Sequence, residues 1–214
     1  MKISYQVLCK NEGESLRTLL DFLIKTKEAQ DEINVCRDSN GTNQETLNIL
    51  EEFKEEINHF ERPVPETIHN QKNWLATKAT GDYLFYLDAD ELLYPQFVEN
   101  LHEILEGNTN VDIFFLPRIN TVEGLTPEYV QERGWNVDKN GWINFPDWQD
   151  RLFKHNAGIS YNEIPHGRLT NEGKQYSTFP AEPVYAILHH KSMNKQVQDN
   201  SEHDQRERDL GLRK

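Results

Sequence analysis

The sequence predicts an α/β fold: one domain built on a mixed, mostly parallel sheet with helices on both faces. Three observations carry this. Apolar segments of strand length alternate with segments of helical periodicity over residues 1–116. Tyr83-Leu84-Phe85-Tyr86-Leu87 is a continuous apolar run, as a strand buried on both faces requires. Clusters of Gly, Pro, Asn and Asp separate the segments.

The elements follow in order. Ile3–Cys9 alternates apolar and polar residues and reads as the first strand. Leu16, Leu19, Leu20, Leu23 and Ile24 fall at helical spacing, predicting a helix over 14–24 that starts near Asn11 or Gly13. A short strand over 32–36 leads into the turn Asp38-Ser39-Asn40-Gly41-Thr42. A helix over 46–53 comes next, then a strand over 57–62 ended by Pro63 and Pro65. Residues 70–80 read as a helix that Gly81 stops, followed by the buried strand at 83–87. Pro95 opens a helix running to Gly107, and 111–116 is another buried strand. From Arg118 to Pro146 the pattern changes to a long polar loop holding Trp135 and Trp142; a loop of that length in a compact domain is usually functional. Short strand-like pieces follow at 151–154, 159–161 and 184–188, then a polar tail with helical potential from Ser192. No repeat or linker divides the chain. Residues 1–117 and 118–214 read as two halves of one domain.

Composition limits what the protein does. Hydrophobic residues make up 36% of the 214 and mean hydropathy is −0.81, so the core is lean. No stretch approaches the roughly 18 apolar residues of a membrane helix. The N-terminus is strand-like and unlike a signal peptide, making the cytoplasm the expected location. Two cysteines, Cys9 and Cys36, make neither a disulfide framework nor a zinc site and are expected to be buried thiols. With 23 basic against 36 acidic residues the formal charge is −13, which disfavours a broad nucleic-acid footprint.

In open α/β sheets ligands bind at the carboxyl ends of strands, and three polar groups fall there: Lys10-Asn11-Glu12, Asp38, and Asp88-Ala89-Asp90-Glu91. Asp88 and Asp90, two apart on an extended segment, project to one side. That arrangement suits a hard octahedral cation sharing its other positions with phosphates, although the same acids would also favour the N-terminus of the next helix.

The run from Asn70-Gln71-Lys72-Asn73 through Ala79-Thr80-Gly81-Asp82 to Asp88-Ala89-Asp90 resembles the central signature of family 2 glycosyltransferases. Val35-Cys36-Arg37-Asp38-Ser39-Asn40-Gly41-Thr42 is similar to the family's acid-rich turn, and Asn11-Glu12 to its Asn-Glu after strand one. The second half resembles a narrower group, the small phage and bacterial members, through Asn120-Thr121-Val122-Glu123-Gly124-Leu125-Thr126, Gly134-Trp135, Gly141-Trp142, Pro146-Asp147-Trp148-Gln149-Asp150-Arg151-Leu152-Phe153-Lys154 and His189-His190-Lys191.

The resemblance implies a GT-A (Rossmann-like) fold and a metal-dependent transferase using a nucleotide sugar, UDP-linked by preference, with inversion. It implies a Mn²⁺ or Mg²⁺ site on Asp88, Asp90 and His189. Donor contacts fall to Asn11, Glu12, Asp38, Lys72, Asn73, Asp88, Ala89 and Lys191. The sequence departs where relatives read Val-His-Glu: here stands Ile164-Pro165-His166-Gly167-Arg168, without the acid. A base within about 3 Å of the acceptor hydroxyl is still needed. Asp150 is the first candidate, His166 the second and Glu163 the third; Asp150 could equally pair with Arg151 or Arg168. Trp135, Trp142 and Trp148 would stack on an acceptor or anchor a loop. The acceptor stays open among a glycan, a hydroxymethylated pyrimidine of phage DNA and a protein side chain. The rival readings are a nucleotidyltransferase and a non-catalytic nucleotide-sugar-binding module.

Overall fold

The computed structural model describes residues 1–63, 68–162, 168–170 and 172–209. Strands β1 (Ile3–Cys9), β2 (Glu32–Asp38), β3 (Asn58–Arg62) and β4 (Tyr83–Asp88) lie parallel in the order β3-β2-β1-β4. Helices α1 (Glu14–Thr26), α2 (Gln44–Glu52) and α3 (Ile68–Ala76) connect them. Beyond the short β5 (Glu91–Leu92) come α4 (Pro95–Gly107), β6 (Ile113–Leu116), β7 (Arg118–Glu123) and α5 (Pro127–Arg133). The chain closes with β8 (Gln149–Lys154), β9 (Tyr176–Thr178), β10 (Ile187–Ser192) and α6 (Met193–Asp209).

The main sheet has seven strands, β3-β2-β1-β4-β8-β6-β9. β8, from the second half of the chain, inserts between β4 and β6 and runs antiparallel to both. A second sheet, β5-β10-β7, pairs β10 antiparallel to β5 and parallel to β7.

Local chemistry explains the elements. Helix α1 turns Leu16, Leu19, Leu20 and Leu23, each fully buried, onto Tyr5, Val7 and Phe85 of the sheet; a buried Leu contributes roughly 1.5–3 kcal/mol. Asn43 caps α2 by accepting the Thr46 N–H, so the helix begins before the apolar pattern does. On the opposite face α3 covers Tyr86, whose hydroxyl donates to Lys72 O at 2.7 Å. There Leu84, Tyr86, Ile113, Phe153, Tyr161 and Leu169 form a second apolar cluster. Gly81 admits a close approach: a Cβ there would lie 2.8 Å from the Ser4 backbone nitrogen.

The sequence misjudged three places. The helix expected over 70–80 ends at Ala76, because Thr77, Lys78 and Ala79 tighten into turns onto Trp74, Leu75 and Ala76. Residues 118–146 are not one loop: β7 finds its partner in β10, and α5 is capped by Thr126, begins at Pro127 and stops at the left-handed Gly134 (φ 63°). The piece at 159–161 makes a single bridge, Tyr161 to Leu169, and 184–188 divides between a 3₁₀ turn and β10. The polar tail from Ser192 is helical, as α6. Cys9 and Cys36 are buried and free. Among the described residues no helix is long and apolar enough to cross a membrane.

Candidate active site

Parallel order places the ends of β2, β1 and β4 side by side, so Asp38, Asn11-Glu12 and Asp88 line one edge of the sheet. At the β2 end, Asp38 is buried; Lys10 Nζ lies 2.8 Å from its Oδ2 and Asn40 N–H donates to its Oδ1. Asn11 Oδ1 accepts the Asn43 N–H at 2.7 Å, tying the loop after β1 to the start of α2. Glu12 folds back to accept the Lys10 N–H.

At the β4 end the two aspartates have different partners. Asp88 is engaged by Arg151, Nη2 to Oδ2 at 2.6 Å and Nη1 to Oδ1 at 3.3 Å. Burial disfavours its ionised form, but Arg151 and Lys72 hold the Asp88 carboxyl well below the usual range. Ala89 is buried between the two acids. Asp90 faces the second sheet, with Oδ2 3.5 Å from His189 Nε2 and 3.8 Å from Lys191 Nζ. Burial again opposes ionisation there, and His189 in its protonated form, with Lys191, overcomes it. Register explains the encounter: β10 sets His189 opposite Glu91 on one side and Asn120 on the other.

Several residues that bind this region together received no donor, metal or base role from the sequence. Glu91 is fully buried; it accepts the Asp88 N–H at 3.0 Å and pairs with Arg118 (3.1 Å) and Arg151 (3.3 Å). Arg118 continues to Asp147 at 2.7 Å, Asp147 accepts from Asn120 at 2.9 Å, and Asn120 meets His189 Nδ1 at 2.8 Å. A continuous path thus runs Asp88–Arg151–Glu91–Arg118–Asp147–Asn120–His189–Asp90. The acidity of Glu91 was visible beside the aspartates. Of the others, Asn120, Asp147 and Arg151 lie in the runs that carry the resemblance, but strand pairing and not local spacing brings them together with Arg118.

The remaining candidates fall as follows. Lys72 is buried with its ammonium over the rings of Tyr161 (4.9 Å) and Tyr86 (5.6 Å). Asn73 commits both ends of its amide to the Tyr161 backbone, each at 2.8 Å, so it fixes that segment. Lys191 also binds Asp199 of α6 at 2.6 Å. Asp150 Oδ2 accepts the Leu169 N–H at 2.9 Å, and neither Arg151 nor Arg168 forms an ion pair with it among the described residues. His166 and Glu163, with Gly167, lie outside the described residues. Trp135 packs edge-on against Tyr129, and Trp142 edge-on against Phe145. Trp148 has no such ring contact among the described residues.

Does this donor set fit a divalent cation? Asp90 and His189 offer one carboxylate and one imidazole nitrogen facing each other, a set suited to Mn²⁺ more than to Mg²⁺. Asp88, held by Arg151, is turned to another partner. Among the described residues no three His, Cys, Asp or Glu side chains converge on one point. The residues fit a cation whose shell is completed by a ligand's oxygens.

Acids at the carboxyl ends of parallel strands, beside a histidine from a second sheet, form a polar cluster where open α/β sheets bind their ligands. The chain matches the family model "Glycosyl transferase family 2" over residues 4–174 and belongs to that family. It is 28% identical over 117 residues to the poly(ribitol-phosphate) beta-N-acetylglucosaminyltransferase TarP of Staphylococcus aureus (strain N315), covering 51% of this chain and 34% of that protein. Its fold is similar to that of S. aureus TarS 1–349, with TM-score 0.61, 15% identity, and coverage of 89% of this chain and 60% of that one. It is also similar to the mannosyltransferase PcManGT from Pyrobaculum calidifontis, solved with GDP-Man and Mn²⁺ (TM-score 0.58, 15% identity, 87% and 56% coverage). These likenesses show a GT-A fold. The chain spans about a third of TarP and less than two thirds of either solved structure.

Proposed function

We propose that this chain transfers a sugar from a nucleotide diphosphate donor, UDP-linked by preference, to an acceptor hydroxyl with inversion. The supporting observation is the meeting of Asp90 and His189 at the edge where β1, β2 and β4 end, in a chain of this family. Asp38 and the Asn11-Glu12 loop border the space for the nucleoside. Asp90 and His189 would hold the cation, with Asp88 joining only by releasing Arg151. When bound, the cation supplies positive charge against the departing diphosphate. Lys191, 3.8 Å from Asp90, and Lys72, buried near Asp88, would add cationic charge. TarS in complex with UDP has a similar fold, at TM-score 0.59, and PcManGT carries GDP-Man with Mn²⁺.

Asp150 is the proposed base. It projects from the strand that also carries Arg151, and its carboxylate has no cationic partner among the described residues. Membership of the family sets the nucleotidyltransferase reading aside. The absence of an acid at Gly167 is the one observation favouring a non-catalytic binder.

Turnover decides between them. With Mn²⁺ and a panel of nucleotide sugars, the protein is expected to release free nucleoside diphosphate, to stop in EDTA, and to lose about 10²–10⁴ in kcat on Asp150→Asn. Nucleotide binding without release would establish the binder, and full activity in chelator would overturn the cation role.

A further inference from the structure

We infer that Asn120 is a positioning residue that sets which nitrogen of His189 presents its lone pair to Asp90. The inference extends the proposed cation role of Asp90 and His189, but the hydrogen-bond argument stands apart from it.

The argument starts at Asp147. An ionised carboxylate only accepts hydrogen bonds. Burial works against that ionisation, and Arg118, Asn120 and Gln149 together hold the carboxyl below the usual range. Oδ2 receives Arg118 Nε at 3.0 Å, Arg118 Nη2 at 2.7 Å and one end of the Asn120 amide at 2.9 Å; Oδ1 receives Gln149 Nε2 at 2.9 Å. The Asn120 atom meeting this acceptor must be its nitrogen, so its oxygen is the atom 2.8 Å from His189 Nδ1. An amide oxygen also only accepts. Nδ1 therefore carries the hydrogen, and the neutral ring keeps its lone pair on Nε2, the nitrogen facing Asp90 at 3.5 Å.

This is the orientation that a metal-binding imidazole needs, with its second nitrogen donating to a fixed acceptor. The backbone supports it too, since Asn120 and His189 are direct partners in the β7–β10 ladder. Without the Asn120 oxygen the ring is free to place its hydrogen on Nε2 and donate to Asp90, and Nε2 in that form binds no cation.

The test is ring ¹⁵N NMR of His189 in the metal-free protein, at a pH where the imidazole is neutral. The signal is assigned among the eight histidines by its loss in His189→Gln. The wild type is expected to show the Nδ1–H form; a predominant Nε2–H form overturns the inference without any further variant. Asn120→Leu is expected to lose the preference and to weaken Mn²⁺ binding in the presence of UDP by about 10–100-fold. An Asn120→Leu protein with unchanged tautomer and Mn²⁺ affinity also overturns it. A wild-type ring in the Nδ1–H form that binds no Mn²⁺ with UDP upholds the positioning and overturns the cation reading.

Discussion

Lys72 shows what a single residue costs at this site. Burial, and then repulsion from Arg151, push its ammonium down to about 8 despite Asp88, Glu91 and Asp150 nearby. The folded value lies below that of the unfolded chain, about 10.4, so the folded state carries a penalty wherever both states are protonated. Below pH 8 the penalty is complete; as pH rises from about 8 to about 10.4 the native lysine loses its proton first and relative stability increases. Lys72→Met is therefore expected to stabilise the protein at pH 7 by about 1–3 kcal/mol. The gain should vanish near pH 10 in denaturant melts, and a constant difference across that range would contradict it.

The aspartates separate in the same way. Asp90→Asn should raise the Mn²⁺ concentration for half-maximal activity by more than Asp88→Asn does, because Asp88 is already engaged by Arg151. Equal effects would mean that Arg151 yields readily to the cation. Asp88, Asp90 and Glu91 were legible in sequence, being adjacent at the end of an unmistakably buried strand. Arg118 was not, and although Asn120, Asp147 and Arg151 lie in runs that carry the resemblance, their pairing was not legible either. Arg118 lies 29 and Asn120 27 residues from Asp147, Arg151 lies 63 from Asp88, and Asn120 lies 69 from His189, so no local periodicity marks their pairing.

At the scale of elements, the first half could be read because each parallel strand is an apolar run with a helix behind it. β7 was missed because its run Arg118-Ile119-Asn120-Thr121-Val122-Glu123 is mostly polar and only Ile119 is buried. Its stability comes from β10, 69 residues away by register, which no window on the sequence spans. α6 was foreseen only as helical potential; what docks it is specific. Arg133 of α5 holds Asp204 at 2.9 Å, Asn200 donates to the Tyr129 hydroxyl at 2.8 Å, and Lys191 of β10 meets Asp199. Arg133→Met removes a half-shielded ion pair worth about 1 kcal/mol or less. It should speed hydrogen exchange in α6 while leaving β1, β2 and β4 unchanged. Uniform acceleration would instead place α6 within the cooperative core.

At the scale of the whole molecule, the two halves expected from sequence interlock within a single sheet. β8 separates β4 from β6, so neither half completes the sheet alone. The path from Asp88 to Asp90 likewise leaves the first half at Arg151, crosses β7 and returns through β10. This interlocking has a consequence for synthesis. Until residues 149–154 emerge, β4 and β6 each expose a ladder edge lined by Leu84, Phe85, Ile113 and Phe114, all buried in the finished protein. Such open, apolar edges template aggregation. A fragment ending at residue 117 should therefore be recovered as aggregate by size-exclusion chromatography. In the cell the nascent chain carries two unguarded edges until β8 arrives, and that interval is when a chaperone would matter most.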